Sequence, residues 1–99
     1  MNLEQIREKV RLGQWRISKH AMVEAVKDGL SPRDIKNVIL TGKIIESYPE
    51  RERHLIYGVL SNDMSVHVVI DYSDNELIVA VTTYIPNERE WIAFQKRKR

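Results

Sequence analysis

SVHVVIDY (65–72), SDN (73–75) and ELIVAVTTYIP (76–86) follow one another in the second half of the chain. Both apolar arms are rich in β-branched residues, and a short polar segment separates them, which predicts a β-hairpin. This is the most apolar part of the chain, so we expect the core of a sheet to form here. The hairpin also carries three side chains that can take part in chemistry, those of His67, Asp71 and Tyr84.

Length and composition limit the class of protein. The chain has 99 residues, of which 42% are hydrophobic and 30% are charged, and this indicates a single globular domain over residues 1–99. No apolar run reaches the roughly 20 residues of a membrane span, and no signal-peptide core is evident. The absence of cysteine excludes disulfides and thiolate metal sites. We therefore expect a cytoplasmic protein.

Helical signals dominate the first part of the chain. Residues 2–12 carry apolar side chains at three- and four-residue spacing, and Gly13 is suited to end a helix there. Ser18 is a favourable N-cap for a second helix over residues 19–28. The apolar stripe expected on that second helix consists of Ala21, Met22, Ala25 and Val26.

A third helix and four strands are predicted to follow. Ser31 caps the helix, Pro32 fits its first turn, and Gly42 ends it. Residues 43–48 and 54–60 are predicted as strands that precede the two arms of the hairpin.

The segment after Pro86 predicts one more helix. Asn87 and Glu90 have capping-box spacing, and Trp91, Ile92 and Phe94 are expected to anchor this helix on the domain. The predicted fold is therefore α+β, with N-terminal helices, a four-stranded antiparallel β-sheet meander and a C-terminal helix.

The hairpin offers candidates for a site on the side of the sheet away from its core. Alternation turns His67 and Asp71 to the less apolar side, opposite the three apolar positions Val66, Val68 and Ile70. We predict His67 as an acid–base residue, with Asp71 in a supporting role. Tyr84, at the end of the second arm, is predicted to donate its hydroxyl to a phosphate or substrate oxygen. For both residues a structural role is the alternative. His67 would then form a cross-strand contact, and Tyr84 would pack in the core.

A second group of candidates lies outside the hairpin. His20 and Glu24 are one helical turn apart, and we predict His20 as another acid–base residue supported by Glu24. Because no third ligand is evident, we predict no metal and no cofactor. Arg51, Arg53 and Arg97 are candidates for binding phosphate. Arg97 belongs to a basic run over residues 96–99, for which a solvated tail without a partner is the alternative.

These side chains meet the requirements of one reaction. Cleavage of RNA without a metal needs a base for the 2′-hydroxyl, an acid for the leaving oxygen and a cation for the charged transition state. His20 or His67, together with Tyr84 and an arginine, are able to fill these roles.

Several stretches, all in one order, resemble a bacterial and archaeal family known as domain of unknown function 4258. The resemblance covers most of the chain, from Ser18 to Trp91. The stretches are SKHA (18–21), Glu24, DGLS (28–31), Asp34-Ile35, GKIIESYP (42–49), Gly58, VHVV (66–69), TTYIP (82–86) and Trp91.

The resemblance implies a compact α+β fold related to RelE-like and barnase-like toxins. It implies the toxin half of a toxin–antitoxin pair, with endoribonuclease activity and a zinc-finger or helix-turn-helix antitoxin as partner. His20, Glu24, Asp28, His67 and Tyr84 fall on the family's motif positions. The chain departs from the family pattern around residues 52–54.

Two further hypotheses remain open from the sequence. One is a binding module without catalysis, which holds a partner protein or RNA through the open face of the sheet and the basic tail. The other is a protein in which the motif residues only maintain the fold. No membrane partner is expected.

Overall fold

The computed structural model describes residues 1–98 and contains three helices and seven strands. The helices are α1 (Leu3–Arg11), α2 (Lys19–Lys27) and α3 (Pro32–Thr41). The strands are β1 (Trp15–Ile17), β2 (Lys43–Tyr48), β3 (Arg53–Val59), β4 (Ser65–Asp71), β5 (Ile78–Tyr84), β6 (Trp91–Ile92) and β7 (Lys96–Arg97). A 3-10 turn over Pro49–Arg51 joins β2 to β3. Arg99, the last residue of the predicted basic tail, lies outside the described residues.

The caps predicted for the second and third helices are confirmed. The Ser18 hydroxyl accepts from the Ala21 N–H at the start of α2. At the start of α3, Ser31 and Asp34 form a reciprocal capping box. Gly13 has a φ of 77°, a left-handed conformation that glycine adopts without strain. Among residues 1–98, no helix is long and apolar enough to cross a lipid bilayer.

The predicted four-stranded antiparallel sheet is wrong, because the main sheet has five strands in the order β1-β5-β4-β3-β2 and is mixed. The pairs β2–β3, β3–β4 and β4–β5 are antiparallel, whereas β1 is parallel to β5. Trp15, Arg16 and Ile17 pair with Ile78, Val79 and Ala80. The segment before α2 therefore forms an edge strand.

The predicted C-terminal helix is also wrong. The Asn87 carbonyl accepts from the Glu90 and Trp91 N–H groups, so the turn begins as expected, but it does not continue. Instead, β6 and β7 form a two-stranded hairpin in which Ala93 and Phe94 have φ values of 51° and 61°. Trp91 is 3% exposed in this arrangement. Burial of that one large ring on the sheet outweighs the local preference for a helix.

The three helices cover one face of the main sheet. The core between them consists of Ile6, Val10, Ala25, Leu30, Ile35, Val38, Ile39, Ile56, Val66, Val68, Ile70, Ile78 and Ala80. The opposite face, which we call the outer face, carries the cross-strand rows Tyr48–Arg53–Asp71, Glu46–Leu55–Val69–Thr82 and Tyr57–His67–Tyr84. The hairpin formed by β6 and β7, here the C-terminal hairpin, covers part of the outer face. The remainder of that face is where a site can form.

Candidate functional site

An ion pair on the outer face ties the C-terminal hairpin to β2. The Arg97 Nε donates to the two carboxylate oxygens of Glu46 at 2.9 and 3.2 Å. The Tyr48 hydroxyl donates to the same carboxylate. Arg97 also stacks on Trp91, with its guanidinium carbon 4.6 Å from the ring centroid. A carboxylate, a phenol and a guanidinium therefore meet beside the hairpin.

Glu46 is held in its ionised form. Burial acts to raise the pKa of Glu46, but the hydrogen bonds from Tyr48 and Arg97 and the charge of Arg97 together place that pKa below its ordinary value. Burial, and then the hydrogen bond to Glu46, raise the pKa of Tyr48. At neutral pH, the pair therefore consists of a proton acceptor and a protonated donor in direct contact.

His67 lies under the C-terminal hairpin. It is fully buried, with 0% exposure, and the Trp91 ring meets it edge to face with 4.4 Å between ring centroids. The cross-strand neighbours Tyr57 and Tyr84 flank it, with centroid distances of 6.1 and 5.2 Å. The residue that the sequence turns away from the apolar core is therefore enclosed by aromatic rings.

Two hydrogen bonds fix the tautomer of His67. Nε2 faces the Phe94 carbonyl oxygen, which can only accept, so Nε2 carries the proton. Nδ1 of the neutral ring then accepts from the Tyr84 hydroxyl at 3.2 Å. Burial lowers the pKa of His67, and this effect exceeds the opposing effects of Phe94 and Glu46. Burial likewise raises the pKa of Tyr84, which remains a donor.

The lowered pKa of His67 predicts that stability depends on pH. The unfolded chain takes up a proton here near the ordinary pKa of 6.5, whereas the folded protein resists protonation. The contribution to the free energy of unfolding is therefore complete above that pKa and is lost as the pH falls. We expect a loss of at most about 1.4 kcal/mol for each pH unit below it, measured by urea denaturation between about pH 7 and pH 5.

A variant at the same position tests this prediction. His67→Gln should flatten the pH dependence, while His20→Gln, which changes a 71% exposed side chain, should keep it. The carboxylates of Glu46 and Asp71, with ordinary pKa values of 4.5 and 3.8, contribute at the acidic end of this range and below it, so the slope between about pH 7 and pH 5.5 reports the histidine. An unchanged slope in His67→Gln would contradict the assignment.

A cavity of about 480 Å³ opens on the outer face next to Tyr48. Its lining consists of Tyr48, Glu50, Arg51, Arg53, Val69 and Thr82. Arg51 is the last residue of the 3-10 turn. Glu52 follows it with a left-handed φ of 54°, and Arg53 then begins β3. Two guanidinium groups therefore border a cavity to which β4 and β5 contribute Val69 and Thr82. We call it the outer-face cavity.

Asp71 orients one of these arginines. Its Oδ2 accepts from the Arg53 Nε at 2.8 Å across the β3–β4 pair. Its Oδ1 accepts from the backbone N–H and hydroxyl of Ser73 at 2.9 and 2.6 Å. Burial acts to raise the pKa of Asp71, but these hydrogen bonds from Ser73 and Arg53 lower it overall. The ionised carboxylate holds Arg53 at the cavity, with 35% of the arginine side chain still exposed.

His20 and Glu24 lie apart from this cluster, on α2 at the edge of β5. The Glu24 Oε1 accepts from the Thr83 N–H at 3.2 Å, and it lies 3.2 Å from the His20 Nε2. The Asp28 carboxylate accepts from the Ile85 N–H in the same way, at 3.2 Å. These carboxylates satisfy the backbone of β5 beyond the end of β1, which protects an otherwise open sheet edge.

The predicted site residues thus fall into three places. His67, Tyr84 and Arg97 lie at the C-terminal hairpin, Arg51, Arg53 and Asp71 lie at the outer-face cavity, and His20 and Glu24 lie on α2. Glu46 and Tyr48 were not predicted as site residues. Their signal was the two-residue spacing of a carboxylate and a phenol in a strand that ends at Pro49. Within residues 1–98, no three histidine, aspartate or glutamate side chains converge as metal ligands.

These observations define an α+β domain with an arginine-bordered cavity on the outer face of a mixed sheet. The model of the family described as domain of unknown function (DUF4258) matches residues 17–85, and the chain belongs to this family. The matched region contains Glu46, Tyr48 and both cavity arginines but ends before the C-terminal hairpin. No curated protein and no solved structure matches the chain.

Proposed function

We propose that this protein is a metal-independent endoribonuclease of the toxin type that acts at the outer-face cavity. The observation that carries the proposal is the contact between Glu46 and Tyr48 beside a cavity bordered by Arg51 and Arg53. Guanidinium groups are well suited to hold a phosphodiester and to stabilise the charge that develops when it is attacked. The Glu46–Tyr48 pair adds the proton acceptor and donor that this reaction needs.

The proposed reaction balances without a further reactant. The Glu46 carboxylate takes the proton of a ribose 2′-hydroxyl, and the 2′-oxygen attacks the adjacent phosphorus. The bond from phosphorus to the 5′-oxygen breaks, and that oxygen receives the Tyr48 proton. The products are a 2′,3′-cyclic phosphate and a 5′-hydroxyl. Protonated Glu46 then returns a proton to the Tyr48 phenolate through their existing hydrogen bond, which restores both groups.

His67 acts as a positioning residue in this proposal. It binds the Phe94 carbonyl and supports Trp91, and these contacts keep the hairpin that carries Arg97 next to Glu46. The acid–base roles of His20, His67 and Tyr84 stay predictions. We favour Glu46 and Tyr48 over the histidines, because Tyr48 lines the outer-face cavity, whereas His67 is buried under the C-terminal hairpin and His20 lies on α2.

Removal of the cavity arginines should weaken RNA binding. A single-stranded 2′-O-methyl RNA, which lacks the attacking hydroxyl, isolates binding from cleavage. For each of Arg51→Ala and Arg53→Ala, we expect the slope of log affinity against log salt to become shallower by about 0.7, because one phosphate contact is lost. Arg33→Ala, an exposed arginine on α3, is the matched control. Equal slopes for all three variants would place the RNA elsewhere.

The cleavage assay for the proposal uses a fluorogenic RNA oligonucleotide in excess EDTA. The wild-type protein should cleave it, Arg51→Ala and Arg53→Ala should cleave more slowly, and Arg33→Ala should match the wild type. If the folded wild-type protein binds the RNA but leaves it intact, the proposed endoribonuclease activity is contradicted. That result would favour the second candidate, a module that binds RNA without cleaving it. The observation that favours this candidate is that Glu46 is already paired with Arg97.

The toxin part of the proposal rests on the resemblance to RelE-like and barnase-like toxins. It implies an antitoxin partner of the zinc-finger or helix-turn-helix type. Induced expression of the wild-type chain should arrest bacterial growth, whereas Arg53→Ala, which leaves Glu46 and the hairpin intact, should arrest it less. Growth arrest of equal strength by both chains would show that toxicity does not depend on the outer-face cavity.

A further inference from the structure

An apolar groove lies on the side of α2 that faces away from the core. Its volume is about 600 Å³, and its lining consists of Ile17, Ser18, Lys19, Met22, Val23, Val26 and Lys27. We call it the α2 groove. Val26 was predicted in the buried stripe of α2 but is 70% exposed, and Val23 is 50% exposed. Two valines on one outward helix face, beside a groove, are unusual for a surface without a partner.

The charges around the α2 groove have one sign. Lys19 and Lys27 line the groove at the two ends of α2. Arg16 is exposed on the adjoining β1, on the opposite face of that strand from Trp15 and Ile17, which pack on the core. The carboxylates of Glu24 and Asp28 point the other way, because they accept from the backbone of β5. An apolar ligand that also carries negative charge therefore matches both the lining and the rim.

The strand beside the groove has a free side. β1 is the last strand of the sheet order, and within residues 1–98 no strand pairs with its other edge. The Gln14 carbonyl and the Ser18 N–H bond to β5, so in this parallel pair the alternate groups of Trp15 and Ile17 point away from the sheet. An extended segment is able to pair with them while its side chains enter the groove.

We propose that the α2 groove and the free edge of β1 bind an acidic, apolar segment of a partner protein in extended conformation. Alternate apolar side chains of this segment contact Met22, Val23 and Val26, and the carboxylates at its two ends meet Lys19 and Lys27. The carboxylates between the apolar side chains lie on the other face of the added strand, next to Arg16. The groove lies on the helix side of the molecule, and β1 forms the opposite edge of the sheet from β2. The proposal therefore does not depend on RNA cleavage, and a partner and an RNA are able to bind at the same time.

The test uses a fluorescein-labelled peptide that alternates valine with glutamate and has a glutamate at each end. Comparison peptides alternate valine with lysine or serine with glutamate. Only the valine–glutamate peptide should raise the anisotropy on titration with the full chain. In ¹⁵N-labelled protein, its shift changes should centre on residues 15–27. The triple variant Arg16→Glu/Lys19→Glu/Lys27→Glu should bind it at least about tenfold more weakly, because attraction becomes repulsion.

Controls separate the groove from other surfaces. Val23→Ser/Val26→Ser should also weaken binding, and both residues are exposed enough for the fold to tolerate the change. Val59→Ser, at an equally exposed valine on β3, and Lys43→Glu, at an exposed lysine on β2, should bind as the wild type does. Shift changes on the outer face, or equal binding of the serine–glutamate peptide, would overturn the proposal. If the free chain self-associates and Val23→Ser/Val26→Ser abolishes this association, the groove binds a second copy of the chain and the proposal of a partner segment is wrong.

Discussion

Replacement of Glu46 by glutamine is expected to slow RNA cleavage by about 10²- to 10⁴-fold, the range found when a general base is removed. Glutamine has nearly the same shape and still accepts a hydrogen bond from Tyr48, but it cannot take a proton from a 2′-hydroxyl. The measurement is the single-turnover rate with a fluorogenic RNA in EDTA. Affinity for the 2′-O-methyl RNA should change little, because the proposed phosphate contacts come from Arg51 and Arg53.

Loss of the Glu46–Arg97 ion pair has only a small effect on stability. The Arg97 side chain is 57% exposed, and pairs of this kind contribute at most about 1 kcal/mol. Glu76→Gln, in the exposed turn between β4 and β5, removes the same charge and should cleave RNA at the wild-type rate. If Glu46→Gln cleaves as fast as Glu76→Gln, Glu46 is not the base.

Trp91→Ala should destabilise the fold by about 3–5 kcal/mol, the usual cost of removing a buried aromatic side chain. Trp91 is the most buried residue of the C-terminal hairpin, and it contacts both His67 and Arg97. Without it, the hairpin loses its main attachment and His67 becomes accessible to water. Urea denaturation measures the first effect. The ¹H NMR titration of His67 measures the second, since its pKa should rise towards the ordinary value of 6.5.

Trp15→Ala is the matched control for this second effect. Trp15 is half-buried on β1 and packs on the core at the helix side of the sheet. Its loss should also destabilise the protein but should leave the pKa of His67 where it is. A His67 titration that responds equally to both variants would show that the C-terminal hairpin does not enclose this residue.

Local signals in the sequence predicted the first three helices well but gave a wrong fourth helix after Pro86. Ser18 and Ser31 cap α2 and α3 as expected, because a hydroxyl at the N-cap satisfies a backbone N–H that no other local group reaches. Local pattern also predicts the strand Lys43–Tyr48, because Pro49 ends it. It predicts the two faces of β4 as well, because apolar and polar side chains alternate along that strand.

These local signals could not predict the pairing of strands that are distant in the sequence. β1 has three residues, too few to show alternation, and it pairs with β5 across some sixty positions of sequence. The C-terminal hairpin competes with a helix that has a good cap at Asn87. Its formation depends on the place that the sheet offers to Trp91, and this place is defined only once β3, β4 and β5 have assembled.

The site could be predicted only in part, because its residue pairs also depend on the register between strands. His67 and Tyr84 are cross-strand neighbours, but a register shift after Val69 prevents a simple count along the hairpin from giving that pair. A second shift between Ile44 and Glu46 turns Glu46 to the outer face together with Tyr48. The two-residue spacing places Glu46 and Tyr48 on one face, but the bulge that turns this face away from the core has no distinct sequence signal, so the pair was missed.

The chemical ends of cleaved RNA test the proposed function most directly. Incubation of a defined oligonucleotide with the wild-type protein in excess EDTA, followed by mass spectrometry, identifies both ends. The proposed reaction predicts a 2′,3′-cyclic phosphate on one fragment and a 5′-hydroxyl on the other, with about 10²- to 10⁴-fold slower formation of both by Glu46→Gln. Intact RNA, or fragments with a 3′-hydroxyl and a 5′-phosphate, would contradict it.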